Sequence, residues 1–153
     1  MSTTEAPTTN IRWAVCKHIL DLARPHASLV DVQIDPGYPG DDAGPDCMWI
    51  DGLDGDVDIP VSNAGRKYRD DIFEIPFEIR INGGSRTRDE VMERTTAVQS
   101  ALEDLLADDP GLAEFPGVIS AEITSEKATC GELRGAGFIG FAETVVSVHS
   151  RLE

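Results

Sequence analysis

IFEIPFEIRIN, residues 72–82, is the stretch whose reading decides the fold. Phe73, Ile75, Phe77, Ile79 and Ile81 occupy alternate positions, with Glu74, Glu78, Arg80 and Asn82 between them. A strand turns successive side chains to opposite faces, so the pattern predicts one face on a core and the other toward water or a partner. Pro76 has no N–H to give to a ladder, which places this strand, or its middle, at a sheet edge or a bulge. Glu74, Pro76, Glu78 and Arg80 are therefore the candidate edge for contact with another subunit.

Working outward, NGGS at residues 82–85 turns the chain. Thr87 followed by Glu90 has the spacing of a capping box, and Val91, Val98, Leu102 and Leu105 form an apolar stripe, so a helix is predicted over 88–107. Strands are predicted over 118–126, where Ile119, Ala121 and Ile123 alternate, and over 138–152, where Ala142, Thr144, Val146, Val148 and Leu152 share a side. Upstream, Ile11, Val15, Ile19 and Leu22 recur at helical spacing between a capping Asn10 and Arg24-Pro25, which predicts a helix over 11–24. Val30, Val32 and Ile34 suggest a strand, PGYPGDDAGPD (36–46) a loop, and Cys47–Ile50 and Val57–Val61 two further strands. The expected fold is α+β: a mostly antiparallel sheet packed against two helices, with a long Asp/Gly/Pro-rich loop.

A chain of 153 residues makes one domain, read as residues 10–153 behind a flexible tail at 1–9. Its formal net charge of -15 argues against a protein that grips nucleic acid through phosphates or binds an anionic membrane. The charge is uneven: residues 25–65 hold nine Asp and no Lys or Arg. Three widely spaced cysteines, Cys16, Cys47 and Cys130, define no disulfide framework and favour a reducing compartment. No stretch approaches the length of an apolar membrane span, and the first residues do not resemble a signal peptide.

The motifs that would announce chemistry fail on context. GAGFIG (135–140) matches a dinucleotide-binding spacing, but a β-branched strand follows it where a helix N-terminus would have to meet the pyrophosphate. Asp54, Asp56 and Asp58 imitate the first half of a calcium loop, yet Ile59 and Gly65 stand where glycine and a bidentate glutamate are needed. Cys16 and His18 are two apart on a helix and diverge, and no other Cys or His completes a zinc set. We therefore expect no catalytic residues, no cofactor, no metal and no enzymatic activity.

The order of the patterns carries a resemblance. V-x-x-A-L-x-x-L-L-x-D-D-P-x-L (Val98–Leu112), the strand VISAEITSEK (Val118–Lys127) and GFIGFAETVVSVHSRLE (Gly137–Glu153) are similar to the tail terminator proteins of long-tailed, siphovirus-type bacteriophages. RDDIFEIPFEIRING from Arg69, the GYP turn at Gly37–Pro39 and MWIDG at Met48–Gly52 resemble further parts of that family. The Asp-rich segment 35–58 departs from its pattern. The resemblance implies a structural virion protein, a homohexameric ring on the head-proximal end of the tail tube. Such a ring stops tube polymerisation and joins the tail to a head-side connector or head-closure protein. It implies assembly in the bacterial host cytoplasm, a place in the neck of the virion, and passage of genomic DNA without sequence-specific binding. Asp51, Asp54, Asp56, Asp58, Glu122, Glu126 and Glu143 are the candidate channel or interface acids. The alternatives are another neck protein, such as a head-closure or adaptor protein, or a small divalent-metal-binding or enzyme subunit that uses the Asp cluster.

Overall fold

The computed structural model describes residues 11–58, 69–109, 112, 115, 117–135 and 137–152, with the backbone alone for 54–58, 69 and 152. The expected tail at 1–9, the Asn10 cap, and Ile59, Val61 and Gly65 lie outside the described residues. Helices α1 (Arg12–Ala23) and α2 (Arg88–Asp108) cover one face of a six-stranded sheet. Its strands are β1 (Gln33–Asp35), β2 (Asp46–Ile50), β3 (Asp54–Asp58), β4 (Arg69–Asn82), β5 (Val118–Leu133) and β6 (Gly137–Leu152). The order is β1-β2-β4-β6-β5, with β3 also paired to β4, and every pairing is antiparallel except β1 with β2. This is the α+β fold expected.

Strand β4 is the centre of the sheet. Phe73, Ile75, Phe77, Ile79 and Ile81 are all fully buried under the helices, as their alternation dictates. The strand is not an edge, however: β6 pairs along its whole length on one side, and β2 and then β3 pair on the other. Pro76 is tolerated because it falls between Phe77, the last partner of β2, and Glu74, the first partner of β3. The Pro76 carbonyl accepts from the Asp51 N–H at 2.9 Å, toward that gap. The N and C=O of one strand residue point the same way, so the missing N–H also faces the break and costs no bond to β6. Glu74, Pro76, Glu78 and Arg80 thus lie on a face of the sheet and not at its edge.

Helix α2 begins as its sequence dictates. The Glu90 N–H donates to Thr87 Oγ1 at 3.2 Å, and the Thr87 N–H donates to Glu90 Oε1 at 3.0 Å, which satisfies two orphan donors reciprocally. Hydrogen bonding to Thr87 also holds the Glu90 carboxyl below its usual range. Val91, Val98 and Leu102 are buried, with Leu106 deeper than the expected Leu105. Two carboxylates in the apolar phase pin the helices to the sheet. Asp71 accepts from Arg12 at 2.6 and 3.2 Å at the start of α1, and Asp46 pairs with Arg86 and Arg94 at 3.4 Å.

The strand expected from Val30 is shorter than its alternation suggested. A 3₁₀ turn at Ala27–Leu29 leaves Val30 exposed, and the ladder starts at Gln33. The strand expected over 118–126 is longer, running on to Leu133 as one arm of a long hairpin with β6. Register shifts at Val118/Ser120 and Ile123/Ser125 break its alternation, so Ile119 is exposed while Ala121 is buried. The glycines of GAGFIG serve this hairpin: Gly135 and Gly137 take positive φ beside the turn, and at Gly140 α2 lies directly on β6.

Candidate functional site: the open face of the sheet

The helices cover only one face, and the other is where the polar half of the alternation gathers. Register fixes its rows. Trp49 on β2 stands opposite Glu78 on β4, Glu78 opposite Glu143 on β6, and Glu143 opposite Lys127 on β5. The next row runs Cys47, Arg80, Phe141, Thr129, and on the other side Pro76 faces Val145. The loop 36–45 folds over the β2 end, where Tyr38 meets Trp49 edge to face at 5.2 Å between ring centroids and Cys47 Sγ donates to the Gly44 carbonyl at 3.0 Å. Beyond that cover the face is open among the described residues. Phe141 is 46% exposed and Ile72 39%, both apolar residues in the polar phase.

Two carboxylates directly opposite on adjacent strands repel. Burial, hydrogen bonding to Glu143 and the charges of Glu143 and Asp51 raise the Glu78 carboxyl to about 7. Glu78 therefore keeps its proton to a higher pH than an ordinary glutamate, since two like charges in contact cannot both ionise cheaply. A second pair lies on the helix side. Glu126 on β5 is raised to about 7 by hydrogen bonding to Glu103 of α2, partial burial and the Glu103 charge.

The structure therefore brings together Asp51, Glu78 and Glu143 on the open face, with Glu122 opposite Ser147 on the same side. It sends Glu126 to the other side, because the shift at Ile123/Ser125 puts it opposite the buried Thr144. Asp54, Asp56 and Asp58 lie on β3 opposite Glu74, Ile72 and Asp70. At the far end of the face Asp70 accepts from Arg151 Nε at 2.9 Å with His149 Nε2 3.7 Å away, and Arg151 holds its carboxyl below the usual range. Sequence reasoning named Glu78 and Glu143 separately and missed that they are partners. It also missed Glu103, and the buried Asp46 and Asp71, although an acid in phase with Met48 and Ile50, or with Phe73, was a visible signal.

Among the described residues no group of three or more His, Cys, Asp or Glu is arranged to hold a metal ion. The three cysteines are free, and burial pushes the Cys16 thiol up to about 12, so it behaves as an apolar core residue. No helix among the described residues is long and apolar enough to cross a membrane.

No protein-family model matches the chain. No curated protein matches it either. Among solved structures it is similar to a chain from the virion of a native gene transfer agent particle, with a TM-score of 0.57 at 15% identity. The likeness covers 87% of this chain and 91% of that one, so the two share the fold over nearly their whole lengths.

Proposed function

We propose that this chain is a structural virion protein, and specifically a tail terminator. It forms a homohexameric ring on the head-proximal end of a tail tube, stops the tube from growing, and presents a surface to the head-side connector or head-closure protein. The observation that carries the reading is the shared fold with a virion chain over nearly the full length of both, joined to the sequence patterns that resemble tail terminators. It acts by assembly and not by catalysis, in the neck of a particle put together in the bacterial cytoplasm.

The charge suits a ring through which DNA passes. Duplex DNA carries one negative charge per about 1.7 Å of axis, so each lysine or arginine in the wall would exchange for counterions and hold it. A chain with a net charge of -15 avoids that hold. The test is polymerisation of the tail tube protein with and without the purified chain. Tubes capped at one end and arrested in growth are expected, and tubes that grow equally long in its presence would reject the reading.

A further inference from the structure

Among the described residues, two unlike surfaces remain unpartnered on opposite sides of the fold. On the open sheet face, Phe141 and the half-buried Val145 flank the Glu78–Glu143 pair in the rows on either side of it. On the far side, α1 turns Val15, Cys16, Ile19 and Leu20 to the core and leaves Trp13 45% exposed beside Lys17, at a shallow depression that Pro36 borders. One surface carries a glutamate pair beside an exposed phenyl ring, and the other an exposed indole with an ammonium next to it.

We propose that the open sheet face of one copy docks on the outer face of α1 of a second copy, in a head-to-tail contact. The inference rests on the ring reading and supplies its subunit interface. A two-fold contact of sheet face on sheet face is disfavoured, because it would set Glu78 and Glu143 of one copy against the same two acids of the next. Unlike patches on one molecule make a heterologous interface, the kind that closes into rings when the rotation allows. Phe141 then meets Trp13, and Lys17 lies over the glutamate pair.

The contact is linked to protons. Around the pair, Asp51 adds negative charge, while Arg80 on β4 and Lys127 on β5 are the cations beside it among the described residues. An arriving Lys17, which has Asp21 one turn on and Arg24 two turns on at the helix end, favours the ionised form of Glu78 and expels its proton. Association therefore strengthens as pH rises through about 7.

The test uses the full chain with a photo-crosslinking benzophenone side chain at position 141, mixed with isotopically labelled wild-type chain at high concentration. Crosslinks between copies to the peptide containing Trp13 and Lys17 are expected. Crosslinks to β4 or β6 of another copy, or within one copy only, would overturn the proposal. Lys17→Glu and Glu143→Lys should each weaken association on the order of tenfold, and the double variant should recover most of the loss. Folding of each is checked by circular dichroism, and a folded double variant as weak as the singles would also overturn it. Should crosslinks run elsewhere while the wild-type chain still caps tubes as a ring, this contact fails and the ring reading stands. Should the chain neither associate nor cap tubes, both fail.

Discussion

Glu78 and Glu143 stand directly opposite one another on the two central strands of the sheet, on the face the helices leave open. Natural sheets usually place opposite charges, or an apolar pair, at such positions. Here the neighbours along the row are Trp49 and Lys127, and Arg80 stands one row away, so no cation lies between the two carboxylates. The fold carries this repulsion at its centre, and it holds the Glu78 carboxyl well above the usual range.

The pH dependence of stability follows with a definite sign. Glu78 and Glu126 sit near 7 in the folded chain against 4.5 for an ordinary glutamate, so the folded state holds protons that the unfolded state has released. Their contribution is fully present below about 4.5 and is lost as pH rises through about 7. Asp70 and Glu90, held low by Arg151 and Thr87, act in the opposite sense but only at more acid pH. Thermal melts should therefore show a higher Tm at about pH 5.5 than at about pH 8. Replacing both Glu143 and Glu126 by Gln should flatten that difference, chiefly by raising Tm at the alkaline end.

Gly140 tests the packing of α2 on the sheet. A Cβ there would meet Thr95 Oγ1 of α2, with Val91 Cγ1 at 3.0 Å. The Thr95 hydroxyl is itself buried and donates to the Val91 carbonyl at 2.7 Å, so it has no room to swing away. Gly140→Ala should cost about 1–3 kcal/mol in denaturant unfolding. Adding Thr95→Ala should return part of that loss, a coupling that two independent sites would not show.

How much of this was legible from residues alone depends on what sets each feature. Thr87 and Glu90 announce their cap because the interaction is local, and Phe73–Ile81 announce a strand because alternation is local too. Pro76 misled because an edge and a break between two partner strands leave the same sequence mark, and only the tertiary pairing of β2 and β3 separates them. The Glu78–Glu143 pair was hidden for a related reason: it depends on the register between strands more than 60 residues apart. The bulges of β5 decided the fate of Glu126 and Ile119, and a one-residue shift moves a side chain to the opposite face.

The cap has a measurable worth. Thr87→Ala removes the oxygen that accepts from the Glu90 N–H and should destabilise the chain by about 1 kcal/mol. Urea unfolding monitored by circular dichroism reads it, as a lower midpoint with an unchanged slope.

Leu102 is fully buried on the sheet side of α2. Leu102→Ala should cost about 2–5 kcal/mol, since the lost contacts are compounded by a cavity that the surrounding strands cannot close. A variant that melts with the wild type would show that α2 does not seal the core.

The central claim, a ring that ends a tail tube, is tested most directly by electron microscopy of assembled tails with the chain present and with it removed. The account predicts a ring of this chain at the head-proximal end of each tube, and, without it, tubes of uncontrolled length that do not join heads. Tails that end normally without the chain, or the chain located elsewhere in the particle, would contradict it.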